Sequence, residues 1–174
     1  MTDTPDLPFS QPVRLNEIGA GLKRRLEPDA ASRARIAKAL DLASLDAFSA
    51  ELEVAPARAG WRLSGRVTAE AEQTCGVTLE PLPVRIDETF AVDLVEAAEP
   101  VDETIEVSLD EDAPDLIEDS RIDLGQYAVE QLALSLDPFP RKPGAEFVQP
   151  EESGEVSPFA VLKGFRSAGE PDKG

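Results

Sequence analysis

Three consecutive stretches of the chain alternate apolar and polar residues with a period of two, and no other feature restricts the fold as tightly. In LDAFSAELEVAPA, residues 45–57, Phe48, Ala50, Leu52 and Val54 alternate with Ser49, Glu51 and Glu53. After a turn near Gly60, WRLSGRVTAEAEQTC places Trp61, Leu63, Val67, Ala69 and Ala71 on one side, and Arg62, Ser64, Arg66, Thr68, Glu70 and Glu72 on the other. PVRIDETFAVDLVEA repeats the pattern through Val84, Ile86, Phe90, Val92 and Leu94. Successive strand side chains point to opposite faces, so each stretch reads as a strand with one buried and one wet face. The short connections between them predict an antiparallel meander.

On both sides of this block the period returns to that of a helix. Pro28 and Asp29 open DAASRARIAKALDLASL, in which Ile36, Ala39, Leu40 and Ala43 share a face, predicting a helix over 29–42. In DSRIDLGQYAVEQLALSLDPFPR, Asp123 is placed to cap a first turn and Gln126 to complete a capping box. Leu124, Tyr127, Ala128, Gln131, Leu132, Ser135 and Leu136 form its stripe, and Pro138 and Pro140 end it, predicting a helix over 122–136. VRLNEI and GLKRRLE read as short strands around a Gly19–Gly21 turn. The expected class is α+β: a twisted, mostly antiparallel sheet with two main helices packed on it. Whether the sheet curls towards a barrel is left open. Residues 1–12 read as a flexible arm, 13–147 as the domain with an acidic loop over 96–120, and 148–174 as a tail. TIEVSL inside the loop suggests a strand over 104–109, and SPFAVLKGF a short docked or partner-binding helix over 157–165.

Composition excludes several chemistries. With no histidine the chain supplies no imidazole base and no Ser-His-Asp or Cys-His pair. One cysteine, Cys75, forms neither an internal disulfide nor a four-ligand zinc site. No glycine-rich phosphate loop and no calcium-binding loop occurs. The expectation is therefore no metal and no cofactor. No leader-like or membrane-spanning run is evident, so a monomeric, soluble, cytoplasmic protein is expected. Cys75 lies in TCGVTLEPLP, with Thr78 where a knuckle would place a second thiol. Its neighbours in sequence include neither a cation nor a helix start, so a small buried side chain at a strand end is expected.

The net charge is −18, and its distribution is uneven. Residues 1–85 hold 11 Lys/Arg against 12 Asp/Glu, whereas residues 86–174 hold 6 against 23. From Asp87 to Ser120 there are 14 acids and no Lys or Arg. Such a block repels polyanions; it is either a solvated loop or a docking surface for a basic protein. Asp110, Glu111, Asp112 and Asp115 are the candidate contacts there. RKPGAEF is a basic island, and Phe139, Arg141 and Lys142 are candidates for a second contact, with a phosphate or an acidic patch. The alternative for the island is a helix stop whose cations face the C-terminal dipole.

TCGVTLEPLPVRIDETF and IDLGQYAVEQLALSLDPFPRKPGAEF, at this separation, resemble the YceD family, in its alphaproteobacterial form, over roughly residues 10–165. The family is named for accumulation of the large ribosomal RNA subunit. Many members carry Cys-x-x-Cys where this chain has Cys75 to Thr78, with further Cys or His near the C-terminal segment. The resemblance therefore does not carry a metal site to this chain. It implies a part in accumulation or processing of large-subunit (23S) ribosomal RNA in a bacterium. Together with the charge, it implies a basic ribosomal protein or assembly intermediate as partner; direct RNA contact stays open. A carboxylate- and metal-dependent RNA-processing enzyme and a barrel for a small apolar ligand are the alternatives. The acids for the first fall in a Pro-containing run, a poor frame for metal ligands, and a β-rich fold alone does not imply the second. A non-catalytic factor is the expectation.

Overall fold

A computed structural model describes residues 7–97 and 114–146 of the 174-residue chain. The expected strand over 104–109, the expected helix over 157–165, and Asp110, Glu111 and Asp112 lie outside the described residues. In chain order come β1 (Pro12–Arg14), α1 (Leu15–Ile18), β2 (Leu22–Leu26), α2 (Ala30–Ala39), β3 (Ser44–Ala57), β4 (Gly60–Thr74), β5 (Pro81–Glu96), β6 (Asp115–Ile117), β7 (Arg121–Asp123) and α3 (Leu124–Ser135).

The three alternating stretches are β3, β4 and β5, and they pair in sequence order as an antiparallel meander. β2 adds antiparallel to β3, and β6 adds parallel to β5, giving a five-stranded sheet in the order β2-β3-β4-β5-β6. Among the described residues the sheet does not close: β2 and β6 are its two edges, which removes the barrel alternative. β1 and β7 form a separate two-stranded antiparallel ribbon.

The alternation sets what is buried. Phe48, Ala50, Leu52 and Val54 of β3, Leu63, Val67, Ala69 and Ala71 of β4, and Ile86 and Leu94 of β5 share one core with Ile36 of α2 and Leu124, Ala128 and Leu132 of α3. Leu63, Leu94, Leu124 and Leu132 are among the largest side chains with no appreciable exposure. Each contributes roughly 1.5–3 kcal/mol of apolar burial. The opposite face carries cross-strand ion pairs, Lys23–Glu53, Arg25–Glu51, Arg62–Asp93, Arg66–Asp87 and Arg85–Glu70, all solvent-exposed. Exposed pairs contribute little energy but keep neighbouring strands in register.

Both main helices begin where expected. Asp29 Oδ1 accepts the Ser32 N–H at 2.7 Å, and Asp123 Oδ1 accepts the Gln126 N–H at 3.1 Å. The expected capping box at α3 is only half made, because the Gln126 side chain donates forward to Glu130 at 2.8 Å. The helix expected over 29–42 stops earlier. Asp41 takes a left-handed φ of 53°, and the Leu42 N–H reaches the Ala37 carbonyl at 2.9 Å, a Schellman ending without its usual glycine.

Residues 9–11, expected within a loose arm, are held against the domain. Phe9 is buried; Ser10 and Gln11 donate to the Asp123 carboxylate, and the Leu124 N–H donates to the Gln11 carbonyl at 3.0 Å. Gly125 makes this crossing possible: a Cβ there would lie 2.8 Å from the Gln11 nitrogen and 3.0 Å from the Phe9 oxygen. VRLNEI, read as a strand, is β1 followed by the single turn α1. Among the described residues, no helix is long and apolar enough to cross a membrane.

Candidate functional site

The turn after β4 and the segment after α3 meet in a seam centred on Cys75. Gly76 donates its N–H to the Pro140 carbonyl at 2.9 Å, and the Gln73 amide donates to the Asp137 carbonyl at 2.8 Å. Cys75 has no exposed surface. Its Sγ accepts the Thr78 N–H at 3.4 Å and the Lys142 N–H at 3.3 Å. The Lys142 Nζ lies 2.9 Å from Glu80 Oε2, closing the seam with an ion pair.

These donors act on the thiol. The Thr78 hydroxyl foremost, then the backbone N–H groups of Lys142, Thr78 and Val77, hold the Cys75 pKa down to about 6, against the opposing effect of burial. Burial raises a thiol pKa and donors to the thiolate lower it; here several donors converge on one sulfur, and their effect prevails. Glu80 is held below its usual range, chiefly by the Lys142 ammonium, and Lys142 is raised in return. Cys75 is the expected small buried side chain at a strand end, and what the local sequence does not show is the backbone donor from Lys142. Lys142 comes from 67 residues away, beyond what local sequence reveals. The resemblance held a usable signal, since relatives carry ligands in both segments and the two must therefore meet.

The enclosed sulfur does not fit a nucleophile, because nothing large reaches it. Nor does the seam fit a tetrahedral metal, since backbone and hydroxyl donors occupy the sulfur's surroundings. Among the described residues no group of three or more Cys, Asp or Glu side chains is placed to hold a metal ion.

The candidate contacts separate in space. Lys142 is engaged with Glu80 and with Cys75, not with the C-terminal end of α3. Phe139 is 77% exposed, and its N–H is turned back onto Asp137 Oδ1 at 2.9 Å. Arg141 is exposed beside it. Asp115 begins β6 on the far side of β5 and accepts the Tyr127 hydroxyl at 3.0 Å. Burial and the Asp115 carboxylate push the Tyr127 pKa up. Asp115 thus ties α3 to the sheet edge. Its neighbours in the acidic run are similarly engaged: Asp87 with Arg66, Asp93 with Arg62, Glu96 with the Ser120 hydroxyl.

The family model described as large ribosomal RNA subunit accumulation protein YceD matches residues 63–166. No curated protein and no solved structure matches the chain.

Proposed function

The chain belongs to the YceD family, the large ribosomal RNA subunit accumulation proteins, and from that premise we propose that it acts as a non-catalytic, cytoplasmic factor for 23S RNA. In this proposal it promotes accumulation by binding a basic ribosomal protein or assembly intermediate through the acids of residues 86–120. The observation that carries the proposal is the charge division: 6 Lys/Arg against 23 Asp/Glu in residues 86–174, after a nearly balanced first half. An acidic surface attracts and steers basic proteins and repels bare RNA. The lack of histidine and the enclosure of the one thiol support a binding rather than a catalytic role.

The acids of the block that lie outside the described residues are the ones to test. Asp110→Asn, Glu111→Gln and Asp112→Asn together, introduced into a strain lacking the parent gene, should lower the ratio of large- to small-subunit ribosomal RNA. Asp115 is left intact because it holds Tyr127. A normal ratio at normal protein level would reduce the acidic segment to a solubility device.

A further inference from the structure

Two of the four large apolar side chains that stand exposed among the described residues, Leu79 and Phe139, flank the Cys75 seam, and a third, Leu134, is on the last turn of α3, the helix that leads into it. Leu79, Leu134 and Phe139 are 76%, 78% and 77% exposed. Leu79 sits in the turn whose Gly76 is bonded to Pro140. Phe139 precedes Pro140. Leu79 also holds a left-handed φ of 59°. That conformation costs an L-residue roughly 1–2 kcal/mol, and glycine or asparagine would relieve it. A leucine kept there at a cost in both backbone strain and exposure marks a surface with a use.

We propose that this patch is the docking site for the chain's own C-terminal segment, residues 157–166. Three observations select that occupant. First, the described chain ends at 146, just past the seam that Lys142 anchors. Gly144, at φ 78°, and the bond from the Ala145 N–H to the Lys142 carbonyl turn it there. Ten residues, 147–156, then separate the patch from the segment, and ten residues reach at most roughly 33–36 Å. Second, the segment reads SPFAVLKGFR. Ser157 and Pro158 are placed as helix start signals and Gly164 as a stop, with Phe159, Val161, Leu162 and Phe165 as its apolar set. So short a helix is not stable alone and requires an apolar surface. Third, the net charges are opposite. The segment carries Lys163 and Arg166 and no acid, whereas the described residues, 7–97 and 114–146, hold 14 Lys/Arg against 21 Asp/Glu.

Tethering favours this occupant over a free one. A short covalent tether holds its end at an effective concentration on the order of millimolar, so even weak intrinsic affinity fills the patch. The family match runs through residue 166, spanning this segment and ending with it. The inference does not rest on the proposed partner or on the acidic loop.

The test is methyl NMR on the full chain, comparing the parent with the double variant Phe159→Ser, Leu162→Ser. The Leu79 and Leu134 methyl signals should shift, and those of Leu116 and Val13 should not. A second double variant, Leu134→Ser with Phe139→Ser, should remove the effect of the tail substitutions on Leu79. The shifts should be independent of protein concentration. Unchanged Leu79 and Leu134 signals in the tail variant would overturn the proposal. So would shifts that vanish on dilution, which would place the segment on a second copy instead.

Discussion

Cys75 combines two properties that usually exclude each other, complete burial and a pKa lowered to about 6. Burial in an apolar site raises a thiol pKa; the donors around this sulfur lower it. The consequence for stability has a definite sign. An unfolded thiol titrates near about 8.5, so the folded state releases its proton more readily. The resulting contribution is fully present above about 8.5 and fades as pH falls through about 6. The stability advantage of the parent over Cys75→Ser should therefore grow as pH rises across that window, as read from urea unfolding midpoints. At a fixed neutral pH, Cys75→Ala should cost about 1–3 kcal/mol, because the Thr78 and Lys142 N–H groups then lose their acceptor. Cys75→Ser, which retains an acceptor, should cost less. Equal losses for Ser and Ala would mean that the sulfur serves only as volume.

At the scale of elements, the helix α3 and the segment before β1 show how a glycine decides packing. In an exposed helix Gly→Ala is worth roughly 1 kcal/mol of added stability. At Gly125 the new Cβ would instead meet backbone atoms of Gln11, Phe9 and Ser10 at 2.8–3.0 Å. Backbone cannot swing aside as a side chain does, so Gly125→Ala should destabilise by about 1–3 kcal/mol. Faster hydrogen exchange at the Leu124 amide, whose acceptor is the Gln11 carbonyl, is the local readout. A more stable variant with unchanged exchange would mean that residues 9–11 are not anchored there. The same region shows what the sequence left illegible. β3, β4 and β5 could be read because long alternation has a single solution. β1 and β7 are three residues each and pair Val13 with Ile122 across more than a hundred positions, a contact without any periodicity to announce it. The end of α2 was missed because Asp41, not glycine, takes the left-handed position. The α3 stripe was legible, but the Lys142 contact to Cys75 was not, since each half is unremarkable by itself.

At the scale of the whole molecule, the negative charge is distributed between two roles. Within the described sheet the acids are largely spent on neighbours: Asp87 on Arg66, Asp93 on Arg62, Asp115 on Tyr127. Seven further acids, from Glu99 to Asp112, fall in a stretch of sequence containing no Lys or Arg. A cationic partner approaching the molecule therefore meets its strongest attraction at that stretch. Paired charges on the sheet largely cancel one another. Attraction of this kind accelerates encounter more than it tightens the final complex, and it is screened beyond about 10 Å at 0.1 M salt. The association rate with a basic large-subunit protein should thus fall steeply as salt is raised, by about tenfold or more between dilute buffer and ~1 M, with a much smaller change in dissociation. Asp110→Asn, Glu111→Gln and Asp112→Asn together should flatten that dependence, with the unfolding midpoint measured alongside to separate lost steering from lost folding. Stopped-flow association over a salt series distinguishes the outcomes. If the variant keeps the parent's salt slope, the steering charge lies elsewhere on the molecule, and the acidic stretch is not the partner-binding surface.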